Sequence, residues 1–369
     1  MLTICSPQLG ISPETSSGGE VYDREILVHL VKLGAKILIL LPKGRNYPKI
    51  TKNFEITFAS IKLIFPPYIF NFLVLPYLFK IYKKAMFQIL RVHSPYFVGP
   101  AAVIFKFFHP EVKLVAQYYH LENNNLIFDL INRVIIKKFD LIITISAATK
   151  KEIIKKYRVT SAKILVTYPG LDNKFKPEEK DKKLLQKLNL KNKSVLLFLA
   201  GLKFRKNPQF LLDVLKKIKD QNIILLIAGS GQAEFFLKFK AKILGLSKQI
   251  RFLGFVPEID KVKFYNLADL FLLPSKKEGF GMIVSEAAAC AVPAIVANTS
   301  SLPEVVINGE TGFVLPLKPE LWTEKISLLI KDKKLREKLG QNARNFALKD
   351  FSWEETAKKQ LAAFERLLR

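Results

Sequence analysis

Eleven short runs of nearly unbroken Ile, Leu, Val, Ala and Phe punctuate this chain, and most of the stretches between them are longer and amphipathic. In the first half the runs are Leu2–Cys5, Ala35–Leu41, Phe87–His93, Lys113–Gln117, Leu141–Ile145 and Ile164–Thr167. In the second half they are Val195–Ala200, Ile223–Ala228, Ile250–Phe252, Leu270–Leu273 and Ala294–Ala297. A strand with one face in water alternates apolar and polar residues, whereas a strand apolar on both faces must be covered on both, and intervening helices supply that cover. The pattern therefore predicts α/β architecture, with a doubly wound parallel sheet in each half. A length of 369 residues, more than one core usually serves, agrees with two domains. The N-terminal domain is read as 1–172, a lysine-rich linker around Pro177 as 173–192, and the C-terminal domain as 193–350. Open parallel sheets bind ligands beyond the carboxyl ends of their strands, so two such domains across a hinge would form one deep cleft.

Charge narrows the partners less than its size suggests. The chain carries 59 basic against 32 acidic residues, a formal net charge of +27. The lysines are spread along the whole length at helical spacing, which reads first as solvated helix faces. No RNA-binding aromatic signature, zinc-finger spacing or heptad repeat accompanies them, so nucleic acid is not expected as a partner. Only Cys5 and Cys290 occur, each in an apolar stretch, which argues against a disulfide framework or a zinc site. The N-terminus lacks the pattern of a secretory signal. The most lipophilic segment, 61–84, is interrupted by Pro66, Pro67, Asn71 and Pro76, and a spanning helix is not expected there. It ends in Lys80, Lys83 and Lys84, and so reads equally as a core helix with a basic end or as an interfacial segment meeting anionic lipid.

The chemistry-bearing residues gather in the second half. After the run Leu270–Leu273 comes "PSKKEGFGMIVSEAAA", a glycine-bearing loop leading into a helix from about Met282. A helix start offers unpaired N–H groups and a positive dipole end, the place where a diphosphate settles, and Gly279 and Gly281 let backbone approach it. Glu278 lies before this helix and Glu286 on its second turn, so the two acids do not form a simple surface stripe. Carboxylates accept paired hydrogen bonds from vicinal hydroxyls, so these acids suit a sugar while lysine and backbone suit phosphate. A basic turn, Lys203, Arg205 and Lys206, follows Val195–Ala200, with Asn207 and Pro208 reading as a cap and a first-turn proline. Gly229-Ser230-Gly231 ends the next run. In the first half, Gly18 and Gly19 stand between strand and helix, and His120 opens a loop after Lys113–Gln117; each reads as a ligand contact or as ordinary turn chemistry.

The series "RFLGFVPEIDKVKFYNLADLFLLPS", "EGFGMIVSE" and "SLPEVVINGETGFVLP", with the glycine pair before Glu20 and "TYPGLDNKFKP", resembles glycosyltransferase family 4, the retaining "glycosyl transferase group 1" enzymes of GT-B fold. The likeness extends over nearly the whole chain and is most specific in its second half. It implies two Rossmann-like domains facing across a cleft, with a helix at 351–369 returning to the N-terminal domain and burying Trp353, Leu361, Phe364 and Leu367. It implies retaining transfer of a hexose from a UDP- or GDP-sugar to a lipid-linked or polysaccharide acceptor, without a metal or other cofactor. The enzyme would be cytoplasmic, peripheral on the inner membrane face. Glu286 would hold the ribose and Glu278 the donor sugar. Backbone at Phe280, Gly281 and Met282, joined by Gly279, would meet the diphosphate and sugar. Lys206, with Arg205, would neutralise the leaving diphosphate. Gly254, Phe255 and Val256 would lie against the base, Gly229 beside the donor, Gly19 against the diphosphate or acceptor, and His120 near the reacting carbon. One departure stands out: the family's arginine five or six residues before the lysine is Gly201 or Ala200 here, leaving Arg205 or Lys203 to replace it. Another GT-B chemistry, epimerase or phosphorylase, and a non-catalytic sugar-nucleotide or polyanion binder are the alternatives.

Overall fold

A computed structural model describes residues 1–12, 17–45, 53–59, 68–93, 95–121 and 126–369. The chain divides into two compact units, Met1–Gly170 together with Ser352–Arg369, and Leu171–Phe351.

The first unit holds a seven-stranded parallel sheet. Its strands are β1 (Thr3–Pro7), β2 (Lys36–Pro42), β3 (Phe54–Ala59), β4 (Ile89–His93), β5 (Lys113–Tyr118), β6 (Leu141–Thr144) and β7 (Ile164–Val166). They lie in the order β3-β2-β1-β4-β5-β6-β7. Helices α1 (Gly18–Lys32), α2 (Tyr68–Ala85), α3 (Pro95–Phe108), α4 (Leu126–Ile135) and α5 (Ala147–Tyr157) provide the crossovers. The apolar runs are buried as their composition requires: Ile4, Ile37, Ile39, Leu90, Val92, Leu114 and Ile142 lie in the core. Phe105 of α3 packs among the rings of Phe79, Tyr82 and Phe87, at centroid separations of 5.2, 5.6 and 5.5 Å.

The second unit carries a six-stranded parallel sheet of β8 (Ser194–Leu199), β9 (Ile223–Ala228), β10 (Ile250–Gly254), β11 (Leu270–Leu273), β12 (Ala294–Ala297) and β13 (Gly312–Leu315). Their order is β10-β9-β8-β11-β12-β13. Its helices are α6 (Lys182–Lys187), α7 (Pro208–Lys217), α8 (Glu234–Ile243), α9 (Lys261–Leu267), α10 (Met282–Ala289), α11 (Pro319–Lys331) and α12 (Lys333–Asp350). In both sheets the winding reverses beside the first strand, between β1 and β4 and between β8 and β11. A reversal leaves a crevice at the carboxyl ends of the two central strands, because their crossovers depart to opposite faces.

Sequence and structure differ at the edges. Two strands, β3 and β13, escaped the apolar-run criterion because edge strands keep partly solvated residues; Lys36 and Glu55, for example, form a pair at 2.6 Å across β2 and β3. The stretch taken as the linker 173–192 is folded into the second unit, where Phe175 and Leu190 are buried. The Glu178 amide donates to Asn266 Oδ1 at 2.8 Å, and α6 starts on the Asp181 cap. Two isolated apolar anchors, rather than a run, hold it there. The closing helix is Trp353–Leu368 and packs on α1 within the first unit. Its buried face is Trp353, Thr356, Ala357, Gln360, Ala363 and Phe364, while Leu361 and Leu367 are only half-buried. Gln360 turns inward because its Nε2 donates to Tyr22 Oη at 2.8 Å and Thr167 Oγ1 at 3.1 Å. Hydrophobic spacing does not signal a polar residue buried on such partners. Gly170 passes so close to the backbone of Trp353 that a side chain there would collide with it.

In segment 61–84, residues 61–67 lie outside the described set. The helix that follows directs Val74, Leu78 and Ile81 into the core, so its described apolar side is spent on packing. Exposed apolar side chains of this unit instead lie on α3, at Ile104, Phe107 and Phe108, and on α4, at Leu126, Leu130 and Val134. Among the described residues no helix is long and apolar enough to cross a membrane.

Candidate functional site

The crevice between β8 and β11 collects the basic turn and the acid-bearing loop. Past β8 the chain runs through Ala200 and Gly201 into a 3-10 turn, Phe204–Lys206, and α7 starts at Pro208. Asn207 does precede that proline, but in the left-handed region (φ 57°) and without capping by its side chain; its Oδ1 accepts from Gln209 Nε2 at 2.7 Å. Past β11 the loop 274–281 returns towards this turn and is tied down at several points. The Lys276 amide donates to the Arg205 carbonyl at 2.8 Å, Arg205 Nη1 to the Lys277 carbonyl at 3.1 Å, Thr299 Oγ1 to the Ser275 carbonyl at 2.6 Å, and Ser301 Oγ to the Phe280 carbonyl at 3.0 Å. A loop pinned this way presents its groups in one geometry rather than many.

Glu278 is buried here. Its Oε1 accepts from Lys206 Nζ at 2.6 Å and from Ser275 Oγ at 2.7 Å, while Arg205 Nη1 lies 3.9 Å from Oε2. Burial alone would raise this carboxyl, but the Lys206 charge and the hydrogen bonds from Lys206 and Ser275 outweigh it and hold the group below the usual carboxylate range. Gly281, with φ 108°, precedes α10, where a non-glycine residue would be strained, and α10 begins with N–H groups that lack intrahelical partners. Phe280 is buried with its ring edge-on to Phe351 at 5.1 Å. Gly279 and Met282 are half-buried beside it.

Glu286 has a separate set of partners. Its Oε2 accepts from Tyr265 Oη at 2.7 Å and from Lys261 Nζ at 3.3 Å, and Lys261 also pairs with Glu258 at 2.6 Å. Burial pushes the Glu286 carboxyl up, Lys261 pulls it back, and the neighbouring Glu258 adds to the rise. The two acids are therefore held oppositely. Glu278 is the more firmly ionised, whereas Glu286 shares its cation with a second carboxylate. Lys261, Tyr265, Glu258 and Ser275 were not singled out from the sequence. The spacing of Lys261 and Tyr265, one turn apart in "KVKFYNL", was the available signal.

The remaining residues divide between the units. Lys206, Arg205, Glu278, Gly279, Phe280, Gly281 and Met282 come together. Gly229 follows β9 with φ 138°, and a Cβ there would overlap the Ala200 carbonyl oxygen, so close passage over the exit of β8 already requires glycine. After β10, Phe255 points outward and Val256 is buried, so the pair does not present one continuous face. Ala200 and Gly201 provide no cation, whereas Arg205 reaches the Glu278 carboxylate from the opposite end of the turn. Gly19 and His120 belong to the first unit. Gly19 is on the first turn of α1, where an added Cβ would sit 3.5 Å from the Tyr119 ring, and the His120 carbonyl accepts from Tyr96 Oη at 3.3 Å.

At the first unit's own reversal, between β1 and β4, lies a cluster that sequence reading passed over. Asp23 Oδ1 accepts from Arg91 Nη2 at 2.6 Å, and Oδ2 meets His93 Nδ1. Tyr119 Oη lies 2.9 Å from His93 Nδ1, and Arg91 Nη2 also donates to Gln117 Oε1 at 3.1 Å. Asp23 and Arg91 are fully buried. Burial would raise the Asp23 carboxyl, but Arg91 and His93 drive it far below the ordinary range. An arginine and a histidine alternating inside the apolar run "ILRVH" were the sequence signal.

Two family profiles match in succession: Glycosyltransferase Family 4 over residues 16–175 and Glycosyl transferases group 1 over residues 180–346. An uncharacterized glycosyltransferase of Methanocaldococcus jannaschii is 28% identical over 61% of this chain and 59% of its own length. The D-inositol 3-phosphate glycosyltransferase of Corynebacterium jeikeium is 30% identical over 63% of this chain and 59% of its own length. The matched region thus spans about three-fifths of these curated relatives. Among solved structures, Anabaena HepE in complex with UDP and glucose superposes with a TM-score of 0.81 at 20% identity, covering 99% of this chain and 100% of that one. With two parallel sheets wound alike and both profiles matched in order, the chain belongs to the group 1, family 4 glycosyltransferases of GT-B fold.

Proposed function

We propose that this chain is a retaining, metal-independent hexosyltransferase that uses a nucleoside diphosphate sugar. The observation that carries the reading is the Lys206–Glu278 pair, 2.6 Å apart at the β8/β11 reversal and directly before the start of α10. A diphosphate lodged at that helix start meets unpaired N–H groups and the Lys206 ammonium, with Arg205 as the second cation. As the glycosidic bond to the diphosphate breaks, negative charge grows on the leaving oxygen, and a cation already in place stabilises it without reorganisation. Glu278, released from Lys206 as phosphate takes that cation, keeps lone pairs for the donor sugar's hydroxyls, and Glu286 accepts from the ribose. In the path that the family resemblance implies, the departing phosphate takes the acceptor's proton on the face it leaves, and configuration is retained.

UDP-glucose is the first donor to try, since HepE is crystallised with UDP and glucose. For the acceptor we favour a lipid-linked glycan at the inner membrane face, supported by the exposed Phe107, Phe108, Leu126, Leu130 and Val134 beside Lys137 and Lys138. A thermal-shift panel of UDP- and GDP-sugars tests the donor, because a ligand that binds only the native state raises the melting temperature. Glu286→Ala should abolish that response. Full donor affinity and turnover in the variant would remove Glu286 from the site. NMR of the product's anomeric proton tests retention, and donor binding with no transfer or hydrolysis would favour a non-catalytic binder.

A further inference from the structure

Helix α8 in the second unit carries an apolar face that is exposed among the described residues. Leu237 and Ala241 point inward, while Phe235, Phe239 and Ile243, spaced four residues apart, are 83%, 56% and 68% exposed. Phe236, 44% exposed, extends the face to Phe204, whose ring centroid lies 6.4 Å away and which immediately precedes Arg205 and Lys206. Large aromatic side chains gathered in water on one helix mark a contact surface. Lysines frame it. Lys238 and Lys242 are interleaved with the rings, Lys248 follows the helix, and Lys203 lies beside Phe204; all four are exposed. The helix's single acid, Glu234, is already paired with Lys238 at 2.7 Å. Among the described residues no ion pair occupies Lys203, Lys242 or Lys248.

We propose that this face docks the nucleotide-sugar unit onto an anionic lipid bilayer. Charge chooses the occupant. A second copy would set lysines against lysines in a chain of net charge +27, and a nucleic acid duplex would satisfy the lysines while leaving three phenylalanines and an isoleucine in water. An anionic bilayer supplies both layers at the depths required: headgroup phosphates for the ammonium groups and acyl chain for the rings. The inference goes beyond the transfer reaction and does not rest on it; the surface it names belongs to the second unit, whereas the exposed residues of α3 and α4 belong to the first.

Co-sedimentation of the full chain with vesicles of phosphatidylglycerol in phosphatidylcholine, at low and high salt, is the test. The wild type should bind these vesicles at low salt, bind pure phosphatidylcholine far less, and be partly released by salt. Phe235→Ser/Phe239→Ser/Ile243→Ser should lower the bound fraction about tenfold or more. Lys242→Glu/Lys248→Glu, which leaves the apolar face intact, should lower it chiefly at low salt. An unchanged melting temperature in each variant shows that the fold is intact. A UDP-glucose thermal shift on the same proteins reports the donor site separately, so either reading can fail alone. Failure of the wild type to bind, full binding by both variants, or a concentration-dependent dimer lost in the serine variant would each overturn the proposal.

Discussion

The two sheets reverse their winding at equivalent places, and the two crevices so formed are filled differently. Between β1 and β4 the crevice holds a closed knot: Asp23 is fully buried against Arg91, His93 and Tyr119. Between β8 and β11 the acid is again buried, but its cation is not, since the Lys206 side chain keeps 14% of its surface in water beside the loop that leads into α10. An arginine with no access to solvent cannot transfer its charge to a ligand, whereas a lysine at the rim can. Topology thus provides a crevice in each unit, and exposure of the cation distinguishes the two: Arg91 is fully buried, whereas Lys206 is at the rim.

The largest effect expected comes from emptying the closed knot. Arg91→Met leaves Asp23 buried without its strongest partner and should cost about 3–5 kcal/mol of unfolding free energy by denaturant titration. A cost below about 1 kcal/mol would erase the distinction between the crevices. Next, Glu278→Gln should lower turnover by about 10²–10³-fold in a protein that still folds, with a lower melting temperature because the ionised Glu278 no longer pairs with Lys206. If the fold is lost instead, the second crevice is as structural as the first. Gly229→Ala should cost about 1–3 kcal/mol, because φ 138° and the nearby Ala200 carbonyl both oppose a side chain; a stabilised protein would remove the packing account of this loop.

The smallest effect near neutrality is that of pH. Asp23 and Glu278 are both held below their ordinary values of 3.8 and 4.5, so the stability they contribute is fully present above those values and is lost as pH falls through the lower folded ones. Glu286 acts with the opposite sign: its raised carboxyl favours the folded state most below 4.5 and loses that contribution as pH rises through the folded value. Melting temperature should therefore drop on acidification below about pH 4, and Asp23→Asn should flatten the drop, whereas Glu286→Gln should leave it unchanged or steepen it. Equal flattening would place the acid sensitivity elsewhere.

Much of this was legible in the chain because it is local. Near-continuous apolar runs required strands covered on both faces, and β1, β2, β8, β9, β11 and β12 lie where those runs are. The loop with Gly279, Gly281 and Glu278 announced a strand-to-helix passage, and α10 begins at Met282. The edge strands β3 and β13 and the buried Gln360 were invisible, since the strands are partly solvated and the glutamine is a polar residue turned inward by the hydrogen bonds its Nε2 donates. The membrane reading of 61–84 shows the same boundary. An apolar helix with a basic end looks alike whether its apolar side meets lipid or core, and Val74, Leu78 and Ile81 meet core.

By itself, then, the order of residues determined two parallel sheets and the loop that bears Glu278, because periodicity and turn chemistry act over a few residues. Only the tertiary structure decided which cation each acid has. Lys206 meets Glu278 across 72 positions, Lys261 meets Glu286 across 25, and Arg91 meets Asp23 across 68. Those pairings follow from strand order and the side on which each crossover returns, and Coulomb attraction selects among the neighbours that folding has already brought close.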